Sequence, residues 1–282
     1  MRYVIFNSLS TRHLSVEELT KVLKEFDSSK ELEFVDGPSL GDGKAFLAKL
    51  KKDDDIVISG GDGSLNKLVN IFDFDKIDNK VYLHKAGNGN DFLRDINELK
   101  EDIVEITPYL KKLPKVSLDN GKEVKYVNGV GFGVDGMVCV ESDKLKAKGK
   151  KKINYTSLSI KLLLFKYKKA RAKVVVDGKE YNYKRVFIAS AMNGKYYGGG
   201  MKEAPTQDRC GDKLSVIVWH NFSRLGALMS FSKIFTGDHV KKTKKLAVLE
   251  GKDVTITFDR PTDLQIDGES FHAVRTYHAY KK

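Results

Sequence analysis

Asp55-Ile56-Val57-Ile58-Ser59-Gly60-Gly61-Asp62-Gly63-Ser64-Leu65-Asn66 decides the fold. Its first five residues read as a buried strand, and Leu65, Leu68 and Val69 put one apolar helical face directly behind the glycines. A strand that passes through a glycine turn into a helix is a natural phosphate cradle. Glycine clears space for the backbone, and the helix N-terminus offers unpaired N–H groups with a partial positive charge. Ser64 and Asn66 add side-chain donors. The competing reading is a sharp turn held by its glycines, with Asp62 capping the following helix. The spacing fits neither a Walker loop nor the dinucleotide fingerprint.

A second loop of the same kind, Gly87-Asn88-Gly89-Asn90-Asp91-Phe92, follows the apolar run Val81-Tyr82-Leu83. Here Asn88 and Asn90 suit left-handed turn positions, and Asp91 can cap a helix carrying Phe92, Leu93 and Ile96. Two such loops leaving one edge of a sheet point to a phosphorylated ligand and a reaction at its phosphates. An aspartate there can hold Mg²⁺ directly or through water. A third acidic loop, Asp267-Gly268-Glu269, could complete the site from a second domain. Glu269 could accept a proton from a hydroxyl nucleophile, although Asp-Gly is also a favoured hairpin turn.

Outward from these loops, the first third alternates strand and helix signals. Tyr3–Phe6 reads as a strand, and Ser15-Val16-Glu17-Glu18 is a capping box before the apolar face Leu19, Val22, Leu23 and Phe26. Glu33–Val35 is a weak strand, and Phe46, Leu47 and Leu50 mark a short helix. This rhythm predicts a parallel α/β domain that binds ligands beyond the carboxyl ends of its strands. Near residue 120 the character changes. Asp119-Asn120-Gly121 is a turn signal, Ala172–Val176 and Glu180–Tyr183 form a hairpin about Asp177-Gly178, and Arg185–Ala191, Leu214–Trp219 and Val254–Phe258 are further strands. Helices are expected at Ile153–Tyr167 and Phe222–Phe235. The expected fold is an N-terminal parallel α/β nucleotide-binding domain, 1–122, and a C-terminal β-rich sandwich, 123–282. A cleft lies between them in this reading, and the extreme C-terminus packs back on the first domain.

The 50 basic and 38 acidic residues among 282 leave a formal charge of +12, which makes nucleic acid and an anionic membrane candidate partners. No aromatic-and-basic module for base stacking is present, so nucleic acid is not expected. Two cysteines, Cys139 and Cys210, exclude a disulfide scaffold or thiolate cluster. His84 has no companion at metal-ligand spacing, which argues against zinc. Tyr3–Phe6 is too short for a signal h-region, and charges interrupt Leu158–Phe165 and Ser215–Phe235. The expectation is a cytoplasmic protein, peripheral at the inner face of the membrane and compatible with a homodimer. Lys144–Lys152, followed by Tyr155, Leu158, Leu162 and Phe165, reads either as a membrane-contact stripe or as a charged loop before a core-packed helix.

Gly60–Asn66, Ala86–Phe92 and Asp267–Glu269 closely resemble the three signatures of the diacylglycerol kinase catalytic-domain superfamily, which includes bacterial soluble lipid kinases and the sphingosine and ceramide kinases. Asn128–Asp135 is similar to the segment that opens its second domain, and Asn193–Met201 with Ala204-Pro205 matches a stretch of the bacterial members. The resemblance spans nearly the whole chain. It implies ATP-dependent phosphorylation of a lipid hydroxyl, on diacylglycerol or a related long-chain alcohol, with ATP on the first domain and lipid between the two. By the same resemblance Asp62 orients the phosphates through Mg²⁺ or water, Asp91 supports that network, and Glu269 is the general base. The nucleotide then lies against Asn7, Arg12, Gly60, Gly61, Asp62, Gly63, Ser64, Asn66, Gly87, Asn88, Gly89 and Asn90.

Several positions depart from the family pattern. Asn7-Ser8-Leu9-Ser10-Thr11-Arg12-His13 stands where the family has an Asn-Pro motif and a glycine-rich turn, and Arg12 could compensate by charge. Asn88 replaces a threonine, and Lys67 a glutamate. After Pro205, Asp208-Arg209-Cys210-Gly211-Asp212 replaces the Asp-Asp-Gly turn that carries a structural Mg²⁺ in bacterial members. Asp208 and Asp212 are then the candidate ligands in a shifted arrangement, and a lysine or water network is the alternative to the ion. NAD kinases share the Gly-Gly-Asp-Gly loop, but the second loop and Asp-Gly-Glu favour the lipid-kinase branch. A non-catalytic regulatory or lipid-binding member of the fold is the other alternative, given the altered phosphate loops.

Overall fold

The computed structural model describes residues 1–8, 14–150, 152–241 and 244–282, in two units, Met1–Leu113 and Pro114–Lys282. In the first unit, runs of β-branched residues make the strands and short amphipathic helices return the chain between them. The order is β1 (Arg2–Phe6), α1 (Val16–Phe26), β2 (Leu32–Asp36), α2 (Gly43–Ala48), β3 (Asp55–Gly60), α3 (Asp62–Ile71), β4 (Lys80–Lys85), α4 (Asp91–Asp95) and β5 (Ile103–Glu105). The capping box forms as read: Ser15 Oγ accepts the Glu18 N–H at 3.2 Å, and Glu18 Oε2 accepts the Ser15 N–H at 2.8 Å. Leu19 and Leu23 bury the inner face of α1.

The sheet order is β2-β1-β3-β4-β5, with the first four strands parallel. The short β5 is antiparallel to β4, a departure from the wholly parallel sheet expected. Central β3 is buried along its length, as its unbroken apolar run requires. Gly60 of β3 pairs with Lys85 of β4, so the two glycine loops leave the sheet at the same level. At the opposite end Arg2 is buried against both carboxylate oxygens of Asp55, each at 2.9 Å, and also donates to Asp27 at 2.9 Å. This cation ties β1 to β3 and to the end of α1.

The second unit runs β6 (Lys115–Leu118), β7 (Glu123–Lys125), β8 (Gly129–Gly133), α5 (Val134–Ala147), α6 (Tyr155–Lys161), β9 (Ala170–Val176), β10 (Lys179–Val186), β11 (Ile188–Met192), β12 (Leu214–Trp219), α7 (Arg224–Phe231), β13 (Leu246–Gly251), β14 (Asp253–Ile266) and β15 (Glu269–Tyr280). A π-turn, Leu162–Lys166, continues α6. The strands pair antiparallel and fold over one apolar core as a sandwich. Side-chain alternation shows which strands have helices behind them. In β12, Leu214, Val216 and Val218 face the sandwich core, whereas Ile217 and Trp219 pack with Leu162, Leu163 and Ala227 under the helices. In β9, Ala170, Ala172, Val174 and Val176 face that core, while Arg171 and Lys173 face water.

The units divide between Leu113 and Pro114, and β6, just after the division, pairs with both β7 and the late strand β15. In the second unit β15 pairs with β14 and β6. Two expectations change. Lys144 and Lys146 lie in α5 rather than in a loop and pair with Glu141 and Asp143 at 3.0 Å. Leu162 is core-packed while Phe165 is 77% exposed, so the apolar stripe read after the lysines is split between core and surface. Lys151 lies outside the described residues.

Candidate active site

The two glycine loops of the first unit are in backbone contact. A Cβ on Gly61 would lie 2.6 Å from the Gly87 Cα, and one on Gly87 would lie 2.5 Å from the Gly61 Cα. Nothing larger than glycine allows that approach. Asp62 locks the contact: its Oδ2 accepts the Asp91 N–H at 3.0 Å and its Oδ1 the Phe92 N–H at 2.9 Å. Asn90, the residue before α4, is left-handed and makes no side-chain cap bond. Asp62 therefore caps α4 from a loop about thirty residues earlier in the chain. The sequence reading had Asp62 capping its own helix or meeting phosphate, and this third role was invisible to it.

Gly63 differs from Gly60, Gly61 and Gly87, because a Cβ there would meet nothing within 4 Å. It sits in the first turn of α3, whose N-cap, Gly61, has no side chain to bond the turn's N–H groups. Ser64 packs on Gly60, and Asn88 is exposed. Asn66 is buried, and its backbone carbonyl accepts from Asn70 Nδ2 at 2.9 Å. Asn7 and Gly89 are half-buried, Asp91 is buried, and Asn90 Nδ2 donates to the Gly87 carbonyl at 3.0 Å. Arg12 lies outside the described residues. Beneath the loops His84 is buried and pairs with Ser59 Oγ at 2.9 Å; burial holds its pKa below the ordinary value and keeps it neutral.

The third loop is a tight hairpin turn in the second unit. Asp267 and Gly268 have φ of 48° and 86°, the pair of left-handed residues that a two-residue turn needs, and Ile266 pairs with Glu269 across it. Asp267 is turned inward. It accepts the N–H groups of Val127, Asn128 and Gly129, the latter two at 2.7 and 2.9 Å. Glu269 is exposed at the start of β15, and the next residue, Ser270, donates to Asp143 of α5 at 2.8 Å. Asp208 and Asp212 are each engaged separately: Asp208 accepts the Cys210 N–H at 3.0 Å, and Asp212 pairs with Lys252 at 2.5 Å. Among the described residues no group of three or more His, Cys, Asp or Glu side chains is disposed to hold a metal.

Two buried acids went unassigned in the sequence. Burial pushes the Asp135 carboxyl up to about 7; its Oδ1 accepts the Gly136 N–H at 2.9 Å, and its Oδ2 has no hydrogen-bond partner among the described residues. Burial, and then the charge of Asp135, also drives Glu203 well above the carboxylate range. Trp219 Nε1 donates to Glu203 at 3.0 Å. No local pattern distinguishes such acids from surface ones.

Residues 2–121 match the diacylglycerol kinase catalytic domain, and residues 128–278 match the YegS C-terminal NAD kinase beta sandwich-like domain. The chain belongs to the diacylglycerol kinase catalytic-domain superfamily. Within it the chain falls in the bacterial lipid-kinase branch, a group of ATP-dependent lipid kinases. The diacylglycerol kinase of Mycobacterium tuberculosis (strain ATCC 25618 / H37Rv) is 23% identical over 201 residues, which are 69% of this chain and 64% of that protein. The crystal structure of a diacylglycerol kinase from Bacillus anthracis str. Sterne shares the fold with a TM-score of 0.70 at 18% identity, over 99% of this chain and 93% of that one. The family expected from the three loops is thus the family found. The sandwich is common ground with NAD kinases, and the match of the first unit assigns the lipid-kinase branch.

Proposed function

We propose that this lipid kinase moves the terminal phosphoryl group of ATP to the hydroxyl of a diacylglycerol or related long-chain alcohol, with the nucleotide phosphates held on the two joined glycine loops. The observation that carries the assignment is the open space at Gly63, in the first turn of α3 and beside the Asp62 lock. The N–H groups of that turn and its partial positive charge suit phosphate. Gly87, Asn88, Gly89 and Asn90 form the second wall, with Asn7, just after β1, and Arg12 also assigned to the phosphates. Asp62 and Asp91 supply the one or two carboxylates that Mg²⁺ takes beside phosphate and water, and Asp62 keeps lone pairs beyond its two N–H bonds. When bound, the ion neutralises charge developing on the phosphates. Glu269, an exposed residue of the second unit, accepts the hydroxyl proton as the new O–P bond forms.

The membrane contact belongs, in this reading, to the helical side of the second unit. Phe165, Leu225 and Met229 are 77%, 65% and 61% exposed. Arg224 donates to the carbonyls of Leu163 and Tyr167 at 2.6 and 2.9 Å and so holds α7 against the π-turn that carries Phe165. Lys161, Lys166, Lys168 and Lys233 are exposed nearby in sequence, and each can add about 1 kcal/mol at an anionic surface. No helix among the described residues is long and apolar enough to cross a membrane. The deciding assay offers Mg²⁺·ATP with diacylglycerol in mixed micelles and, in parallel, with NAD. A lipid product heavier by one phosphoryl group is expected; phosphorylated NAD without phosphorylated lipid overturns the proposal.

A further inference from the structure

Arg209 is buried in the second unit, in the loop where the metal-carrying turn of the resemblance would lie. Its Nη1 donates to the Val127 carbonyl and its Nη2 to Asn128 Oδ1, both at 2.7 Å. Val127–Gly129 is also the segment whose three N–H groups hold Asp267. The carbonyls of the segment are engaged as well. Asn193 Nδ2 donates to the Val127 carbonyl at 2.9 Å, the N–H groups of Asn193 and Gly194 to the Asn128 carbonyl, and the Asp267 N–H to the Gly129 carbonyl. Lys281 closes the far side, donating to Asn193 Oδ1 and the Arg209 carbonyl at 2.8 Å. Burial and the Arg209 charge hold the Lys281 pKa below the ordinary lysine value, against the opposing charges of Asp208 and Asp212.

We propose that Arg209 is a positioning residue for the reaction: it clamps Val127–Asn128, and through the Asp267 carboxylate that those residues hold it fixes the turn that presents Glu269. A guanidinium does this better than an ammonium, because its fork reaches a carbonyl and an amide oxygen at once in one plane. The clamp matters because Glu269 itself is exposed and sits one residue beyond a two-residue turn. Its direction is inherited from Asp267, whose side chain is anchored on the segment Arg209 holds. The inference rests on the reading of Glu269 as proton acceptor, and loss of alignment by about 1 Å at a reacting group can cost roughly 10²-fold in rate.

A double-mutant cycle in single-turnover kinetics tests it with R209M, E269Q and the pair. Arg209→Met is expected to lower the rate roughly 10–100-fold with the ATP KM unchanged, and to lower it no more than about 2-fold in the E269Q background, because residues acting as a unit are non-additive. Equal losses from R209M in both backgrounds overturn the positioning role while leaving the Glu269 reading intact. An unchanged rate for E269Q alone removes the Glu269 reading instead. Arg209→Lys keeps the charge and loses the fork, so it covers the case in which R209M does not fold. It should retain the fold and show faster amide exchange at Val127–Gly129 with a reduced rate; wild-type exchange and rate together in R209K overturn the clamp.

Discussion

Replacing Asp62 by asparagine tests whether this residue joins the two glycine loops. The carboxylate accepts two N–H groups, at 3.0 and 2.9 Å, from the first two residues of α4. Asparagine keeps one acceptor oxygen and points an NH₂ at the other N–H, so one bond is lost and one half-buried donor faces another donor. Hydrogen bonds to a charged acceptor contribute about 1.5–3 kcal/mol, and an orphaned donor costs about 1–3 kcal/mol. A net loss of about 2 kcal/mol is therefore expected at this half-buried site. With a urea slope of about 2 kcal/mol/M, the midpoint for the first unit should fall by about 1 M. Amide exchange at residues 91 and 92 should accelerate in the same variant, since Asn90 offers no replacement cap. If D62N keeps both the midpoint and the protection of those two amides, Asp62 does not join the loops. A fall in turnover would then have to come from the phosphates alone.

Glu269→Gln should lower the single-turnover rate roughly 10²–10⁴-fold while leaving ATP binding and folding unchanged; an unaltered rate rules out the general base. Asp135→Asn should remove a pH dependence. With the folded carboxyl raised from 3.8 to about 7, the native state holds the proton more tightly, so stability falls as pH rises from about 4 to about 7 and is level above. D135N should be more stable than the parent by up to about 4 kcal/mol at pH 8 and equal to it below pH 4, as read by urea denaturation; a constant difference at both pH values contradicts the buried titration. His239, buried and lowered to about 4, acts in the opposite sense as pH falls from 6.5 to 4, in both proteins alike. Arg2→Met strands the Asp55 carboxylate beside Lys30 alone and should destabilise the first unit by about 3–5 kcal/mol; a loss below about 1 kcal/mol would show that Lys30 suffices.

What the sequence made legible was local. Strand, glycine turn and helix repeat within about thirty residues in the first unit, and the hairpin turn at Asp177-Gly178 and the apolar run Leu214–Trp219 marked β9 and β12 closely. Helix α5 was not legible, because Val134-Asp135-Gly136-Met137-Val138-Cys139-Val140 is rich in β-branched residues and reads as strand. It is helical through tertiary packing: Gly136 lies so close to β14 that a Cβ would sit 2.3 Å from the Asp263 carbonyl oxygen. The long β14–β15 hairpin was read only in its first residues, since register shifts near 257–264 break the alternation. At the site, the loops could be found but not their bonds. The partners of Asp62 are 29 and 30 residues away, and those of Asp267 are 138 to 140 away.

This double use of the motif limits what its presence says about chemistry. Gly61 and Gly87 are required by their own contact, Gly60 by Ser64, and Asp62 and Asp267 by the backbone they hold, so each would be needed for folding alone. Gly63 stands apart. It lies in the first turn of a ten-residue helix, its Cβ position is empty, and it is exposed. Alanine there should leave stability unchanged or raise it by up to about 1 kcal/mol, because glycine is the poorer helix former. A phosphate brought against that turn would meet the new methyl group. Gly63→Ala is thus expected to melt no lower than the parent and to bind ATP roughly tenfold more weakly or worse, a loss of about 1.4 kcal/mol. Calorimetric titration with Mg²⁺·ATP decides between the two uses of the loop. Unchanged affinity in a fully folded G63A variant would mean that the loop's glycines serve the fold and that the phosphates bind elsewhere.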